Sequence, residues 1–293
     1  MAVTTDPLLA SAASADETTP ARQGAWRRSL AVGAPAALLA LIFFACFILP
    51  LVAPIPRPTG GDIMESLAPN FSPGHILGTD PDGNDILSRI LHGGRSSLII
   101  ALSVQALGLV IGGGLGALAA VVHSVLDSVI MRMMDVLIAV PSLILVIVVS
   151  QALGPGMRNT IFALAFLSIP TFARIARAET LRLREQPFMV AARLSGTPTW
   201  RILARHLAPN IRPQLMTTAL LGTGIVIIIE GALTFLGGGI EPPAPSWGNM
   251  IFQGYLSLSG TPWLVVWPSV ALTLTVIGFN GLGEALRAQW SRR

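Results

Sequence analysis

Long stretches of this chain carry no charged side chain, and nothing else in the sequence constrains the fold as strongly. Uncharged runs lie between Arg28 and Arg57, Arg95 and Asp127, Asp135 and Arg158, and Glu241 and Glu284. A bilayer core is about 30 Å thick and takes about 20 apolar residues of helix. Segments 31–52, 97–122 and 136–153 each fit one span. A fourth, 159–178, holds Arg174 and Arg177 near its end, where long side chains reach the headgroups. Segment 214–236 is a fifth and carries Glu230; 264–286 is a sixth, with Glu284 near its end. The chain reads as an all-α polytopic membrane protein with six transmembrane helices and both termini on one side. Only 12% of its residues are charged, about half the share of a soluble domain.

Arginine placement chooses the side. With a cytoplasmic N-terminus, the inner segments hold Arg22, Arg27, Arg28, Arg132, the eight arginines from Arg174 to Arg212, Arg287, Arg292 and Arg293. Only Arg57, Arg89, Arg95 and Arg158 fall outside. Fifteen against four is a positive-inside bias, so the basic balance is a topology signal and not a nucleic-acid footprint. The expected layout is a disordered cytoplasmic tail at 1–29, a first helix at 30–53, an extracytoplasmic segment at 54–95, a five-helix domain at 96–287 and a cytoplasmic end at 288–293. No secretory signal is expected, because the first apolar run is long enough to stay in the membrane.

All 19 basic residues are arginine. A P-loop needs a lysine, so no ATPase site of this kind fits the chain, and a lysine Schiff base is also excluded. Cys46 stands alone and suits apolar packing. His75, His92, His123 and His206 are scattered, with no ligand spacing. No metal or cofactor site is expected in the chain itself.

Inside the second helix Gly108, Gly112 and Gly116 recur every four residues, and Ala120 continues the stripe. Such a face lets another backbone approach. Gly112 to Ala117 also fits G-x-G-x-x-A, but a dinucleotide site needs a preceding strand in a βαβ unit, which an uncharged membrane run excludes. Pro141, Pro170 and Pro268 lie where they would kink helices three, four and six. Glu230 is the carboxylate deepest in a span, a candidate gate group; the structural alternative is a hydrogen bond to a neighbouring helix.

The longest inner loop is 179–212, with six arginines. Pro187 suits a helix start, and a short helix follows to about Gly196. Thr197 and Pro198 would open a second, with Trp200, Leu203 and Leu207 on one face and Pro209 as its stop. A helix-turn-helix DNA reader would need a third helix and freedom to enter a groove. A loop pinned at both ends to membrane helices suits protein docking instead.

Val190-Ala191-Ala192-Arg193-Leu194-Ser195-Gly196, with Pro209 thirteen residues on, resembles the EAA loop of bacterial ABC importer permeases. Arg205-His206-Leu207-Ala208-Pro209-Asn210 is similar to the R-H-I-L-P-N form of the oligopeptide, dipeptide and nickel branch. Val190 replaces the motif's glutamate and Ala208 its leucine. His75-Ile76-Leu77-Gly78-Thr79-Asp80, then Gly83, Asp85, Leu87, Ser88 and Arg89, resembles the H-P-L-G-T-D element of C-type subunits. A calcium loop there would need Gly and Glu where Asp85 and Leu91 stand. Glu230 to Gly239 and Pro242 to Gly248 resemble a third branch motif, E-A-x-L-S-F-L-G-L-G…P-P-x-P-S-W-G.

The resemblance implies a type I ABC importer permease core in helices two to six. It implies half of a translocation pathway for peptides, in a bacterial inner membrane; nickel or glutathione permeases share the motifs. Implied partners are a second homologous permease, two ABC ATPase subunits that bind ATP and Mg, an extracytoplasmic substrate-binding protein and the lipid bilayer, with no nucleic acid. The implied coupling residues are Ala191, Ala192, Gly196, Arg205, His206 and Pro209. From the residues alone, a proton-coupled transporter using Glu230 or a membrane scaffold remain alternatives.

Overall fold

The computed structural model describes residues 19–122 and 124–290, and these are helical apart from their connections. Apolar sequence in lipid must satisfy its backbone hydrogen bonds locally, which a helix does. The first helix, α1 (Thr19–Phe43), continues through a π turn (Phe44–Ile48) to Val52. The expected tail lies outside the described residues up to position 18, and from Thr19 the chain is already helix. Next come α2 (Ile86–Val121), α3 (Ser124–Ala139), α4 (Ser142–Leu153), α5 (Met157–Arg184), α6 (Pro187–Leu194), α7 (Thr199–Phe235), α8 (Trp247–Leu256) and α9 (Trp263–Trp290). Among the described residues there is no strand, only two isolated β-bridges.

Among the described residues five helices are long and apolar enough to span a membrane, and α3 with α4 makes a sixth element bent by 94°. The kink expected at Pro141 is a full break, so the single span expected at 136–153 is divided between two helices. Pro141 supplies no N–H and disfavours helix at Val140, so 136–139 belong to α3 and the chain turns sharply into α4. Pro170 and Pro268, by contrast, sit inside the continuous helices α5 and α9.

Helix α2 starts eleven residues before the expected span. Asp85 caps it, its Oδ1 accepting from the Ser88 N–H at 2.7 Å. Ten residues assigned to the connecting segment are therefore helix. The segment before it folds as a cap over one end of the bundle, called here the cap end. Arg89 anchors that cap. Its side chain is 2% exposed, and it pairs with Asp80 at 3.1 Å and donates to Gln253 Oε1 of α8 at 3.2 Å. Asp80 Oδ1 also accepts from the Asn84 N–H at 2.8 Å. A carboxylate held in this way is committed to the fold rather than to a cation.

The glycine stripe of α2 lies against α5. An added Cβ at Gly112 would overlap the Ile169 carbonyl oxygen, and one at Gly116 the Ala173 carbonyl oxygen. At Gly108 it would meet Phe172 and Ser168. Near the other end of the bundle, the loop end, Arg177 forks onto Asp127 of α3 through two bonds of 2.6 Å. Arg174 meets Asp135 at 2.6 Å. The two arginines expected to reach for headgroups are thus paired with α3. Cys46 is buried, beneath Gly94 of α2.

Gly114 has nothing within 4 Å of its Cβ position, and it serves as a control for the stripe. Gly116→Val is expected to destabilise the purified protein by about 1–3 kcal/mol, the range for overpacking, whereas Gly114→Val leaves the melting temperature close to wild type. Thermal unfolding in detergent measures the difference.

Candidate functional site: the loop-end docking face, a buried carboxylate and a cavity

At the loop end α5 projects to Arg184, and Pro187 opens α6 after a two-residue link. Helix α6 closes with a complete glycine C-cap. The Thr197 N–H donates to the Ala192 carbonyl at 3.2 Å and the Gly196 N–H to Arg193 at 3.0 Å. Gly196 has φ +71°, the left-handed geometry this cap requires. Met189 and Ala192 face inward; Met189 packs with Ile202 and Leu207 of α7. Phe188, Val190, Ala191 and Leu194 face outward, Leu194 at 85% exposure. The face turned away from the bundle is thus mostly apolar, Val190 included.

The second loop helix is not a separate element. Helix α7 begins at Thr199, one residue after the expected start, passes through a π turn at Ile202–Leu207 and runs on to Phe235. Pro209 was expected to stop it and does not. The wider π turn before it relieves the clash between the proline ring and the preceding turn. The same turn changes the helix phase, so Trp200 and Leu207 do not share a face: Trp200 is exposed under Arg201, whose guanidinium lies 5.2 Å from its ring, and Leu207 is buried. Arg205 and Pro209 are exposed and His206 half-buried on this stretch.

Glu230 lies some twenty residues further along α7, about 30 Å from Pro209 at 1.5 Å per residue, and is fully buried. Ser97 of α2 donates to its Oε2 at 3.2 Å, and Thr234 to its Oε1 at 3.1 Å. The Ser97 oxygen in turn accepts from the Trp247 N–H at 3.3 Å. Gly231 and Gly248 meet beside it, where a Cβ on Gly248 would overlap the Gly231 backbone. The carboxylate therefore joins α2, α7 and α8. The structure brings together the six loop residues at one end, and it leaves Glu230 and the glycine stripe apart from them.

A cavity of about 710 Å³ opens between α2, the α3–α4 elbow, α5 and α7. Glu230 does not line it. Sequence reasoning missed this cavity, and also missed the partners of Arg174 and Arg177. Asp127 and Asp135, eight residues apart on one helix, were the available signal for those pairs.

At the cap end His75 bridges two carboxylates. Its Nδ1 lies 2.8 Å from Asp85 Oδ2 and its Nε2 3.1 Å from Glu65 Oε2. Only the imidazolium donates from both nitrogens. The hydrogen bond to Asp85 is the main cause that holds the His75 pKa above the ordinary histidine value of 6.5; burial opposes it, and the bond to Glu65 adds to it.

Residues 108–293 match the family model described as binding-protein-dependent transport system inner membrane component. The dipeptide transport system permease protein DppC of Alkalihalophilus pseudofirmus is 34% identical over 255 residues, covering 86% of this chain and 84% of that protein. The glutathione transport system permease protein GsiD of Pectobacterium atrosepticum is 40% identical over 74% of this chain and 72% of its own length. The probable D,D-dipeptide transport system permease protein DdpC of Escherichia coli is 35% identical over 78% of this chain and 77% of its own length. Among solved structures, an inward-facing methionine ABC transporter MetNI matches with a TM-score of 0.57 at 20% identity, over 68% of this chain and 95% of that one.

A raised histidine pKa stabilises the folded state fully below the unfolded value near 6.5, and the contribution fades as pH rises through the folded value. In a melting-temperature series from about pH 5.5 to about pH 8.5, the advantage of wild type over His75→Leu is expected to be largest at the acid end and to shrink toward the alkaline end.

Proposed function

We infer, from the fact that the chain belongs to the family of binding-protein-dependent transport system inner membrane components, that it is the peptide-carrying permease half of an ATP-driven importer. A second, homologous permease completes the pathway. Two ABC ATPases bind ATP and Mg and hydrolyse ATP, and an extracytoplasmic binding protein delivers the solute. The relatives named for dipeptide, D,D-dipeptide and glutathione transport support a peptide-like solute, since each of those cargoes contains peptide or peptide-like amide bonds. The arginine-rich loop end faces the cytoplasm, as the positive-inside bias requires, and the His75 cap faces outward.

The observation that carries the coupling role is the outward apolar face of α6, set between two continuous helices. Exposed apolar surface of this kind marks a docking site. Helix α5 enters the loop directly, and α7 leaves it as one helix of 37 residues, about 55 Å long. A displacement of α6 by an ATPase therefore moves both helices as rigid levers. Alternating access follows when ATP binding draws the two ATPases together and the levers re-aim the membrane halves, with two global states biased from both ends. Glu230 sits on the same lever as a tie between helices.

Two measurements test this reading. The affinity-tagged chain is expected to co-purify with a second permease and two ATPases; recovery as a lone, transport-competent chain would sink it. In the assembled complex, Gly196→Val strains a left-handed cap by about 1–3 kcal/mol. Uptake and solute-stimulated ATP hydrolysis are expected to fall together, about fivefold or more for each such strain. Normal values for both would remove the loop from the coupling pathway.

A further inference from the structure

We propose that the cavity beside the α3–α4 elbow is a station for the backbone of a peptide in transit, and that the Gln105 carboxamide is the group that holds it. This rests on the peptide reading above and adds to it a contact surface and a recognition chemistry.

Gln105 is the amide side chain within the uncharged run of α2. It is 5% exposed and lines the cavity, as does Ser168 of α5 at 8%. Among the described residues neither side chain is hydrogen-bonded, and neither belongs to the fully enclosed polar groups left without a partner, so their polar atoms stay accessible from the cavity. Their neighbours behave differently. Thr218 donates to the Gln214 carbonyl at 3.0 Å and Thr171 to the Leu167 carbonyl at 3.4 Å, each within its own helix. An amide without a protein partner at the wall of a mostly apolar cavity favours a ligand that supplies one. Gln105 thus retains two donors and an acceptor at the cavity wall.

The adjoining helix is shaped for that amide. Gly222 of α7 faces it, and a Cβ there would overlap the Gln105 amide nitrogen. The glycine admits the carboxamide at this depth. The elbow adds backbone groups. Helix α3 ends at Ala139 and α4 starts at Ser142, so the last carbonyls of one and the first N–H groups of the other lack helical partners. Non-helical backbone at membrane depth persists where it is buried in protein or lines a wet cavity. Val140, Pro141 and Ser142 line this one. Broken helices beside a midplane site are a recurring arrangement for solutes in transport.

The ligand class follows from these donors and acceptors. In an extended peptide the N–H and C=O of one residue point to the same side, as in a strand pair. A single carboxamide pairs with both: Oε1 accepts the N–H and Nε2 donates to the C=O. Such a contact ignores the side chains, and the volume of about 710 Å³ is within the range of small-molecule sites.

The test uses the complete transporter with its binding protein in proteoliposomes, and two probes, alanyl-alanine and its ester analogue alanyl-lactate, which lacks the peptide N–H. The amide-to-ester uptake ratio is measured in each complex. Gln105→Leu is expected to lower alanyl-alanine uptake and to shrink the ratio, each by about tenfold, the size of one or two net hydrogen bonds. Gly222→Ala, which displaces the carboxamide with Gln105 intact, is expected to shrink the ratio in the same direction. The binding protein is the same throughout, so a change in ratio belongs to the permease. A Gln105→Leu complex with a wild-type ratio overturns the proposal. If that variant does not assemble, a wild-type ratio in Gly222→Ala overturns it. Wild-type complex that carries neither probe nor trialanine overturns the peptide reading itself, and that result appears before any variant is compared.

Discussion

The contact on which the other helices depend is the backbone-to-backbone approach of α2 and α5. Side chains longer than hydrogen at Gly112 and Gly116 would occupy the space of the Ile169 and Ala173 carbonyls. Lipid is as apolar as the helices, so association must come from close packing rather than from expulsion of water. With α5 seated on α2, Arg174 and Arg177 are carried toward α3, where Asp135 and Asp127 neutralise them. The same seating places Ser168 and Gln105 along one cavity. The stripe thus sets the position of two ion pairs and of a polar wall without being part of either.

The spans were legible because an uncharged run about 20 residues long has few fates. What escaped were features that leave composition unchanged. Segment 136–153 is equally apolar straight or bent, and whether Pro141 kinks or breaks it depends on what lines the bend. Pro209 looks like a stop because a proline clashes with the turn before it; the π turn at Ile202–Leu207 that removes the clash has no residue signature. That same turn is why Trp200 and Leu207 diverge although their spacing suits a common face. At the loop, the cap was readable down to Gly196, since a left-handed C′ position calls for glycine. The inward turn of Ala192 beside the outward turn of Ala191 was not, because both are the same residue.

Charges are few here, and several are committed to ion pairs. Arg89 is buried against Asp80 and Gln253, Arg177 forks onto Asp127, and His75 bridges Asp85 and Glu65. Asp85 does two jobs, capping α2 with one oxygen and receiving His75 with the other. Arginine suits such sites because its planar fork stays charged and bonds two oxygens at once. The lack of lysine, first an exclusion of a P-loop, is thus matched by a positive use of the guanidinium at both ends of the bundle.

Helix α7 joins these parts mechanically. Trp200 stands at its loop end, Gly222 about 33 Å along it and Glu230 a further ~12 Å on. One rigid element therefore runs from the docking face, past the cavity wall, to the carboxylate that ties α2 and α8. Its early π turn lies between the loop and the membrane part, and π turns recur at functional sites. A rotation imposed at α6 would reach Gly222 with little loss, because the intervening helix is continuous and its contacts with α2 and α5 are packed. The Glu230 tie would resist the same rotation at the far end, through hydroxyl bonds from Ser97 and Thr234. Under the proposed coupling, motion at the cavity would be set by a lever driven at one end and held at the other. A carboxylate that is fully enclosed and hydrogen-bonded to hydroxyls is suited to that holding role without meeting the solute.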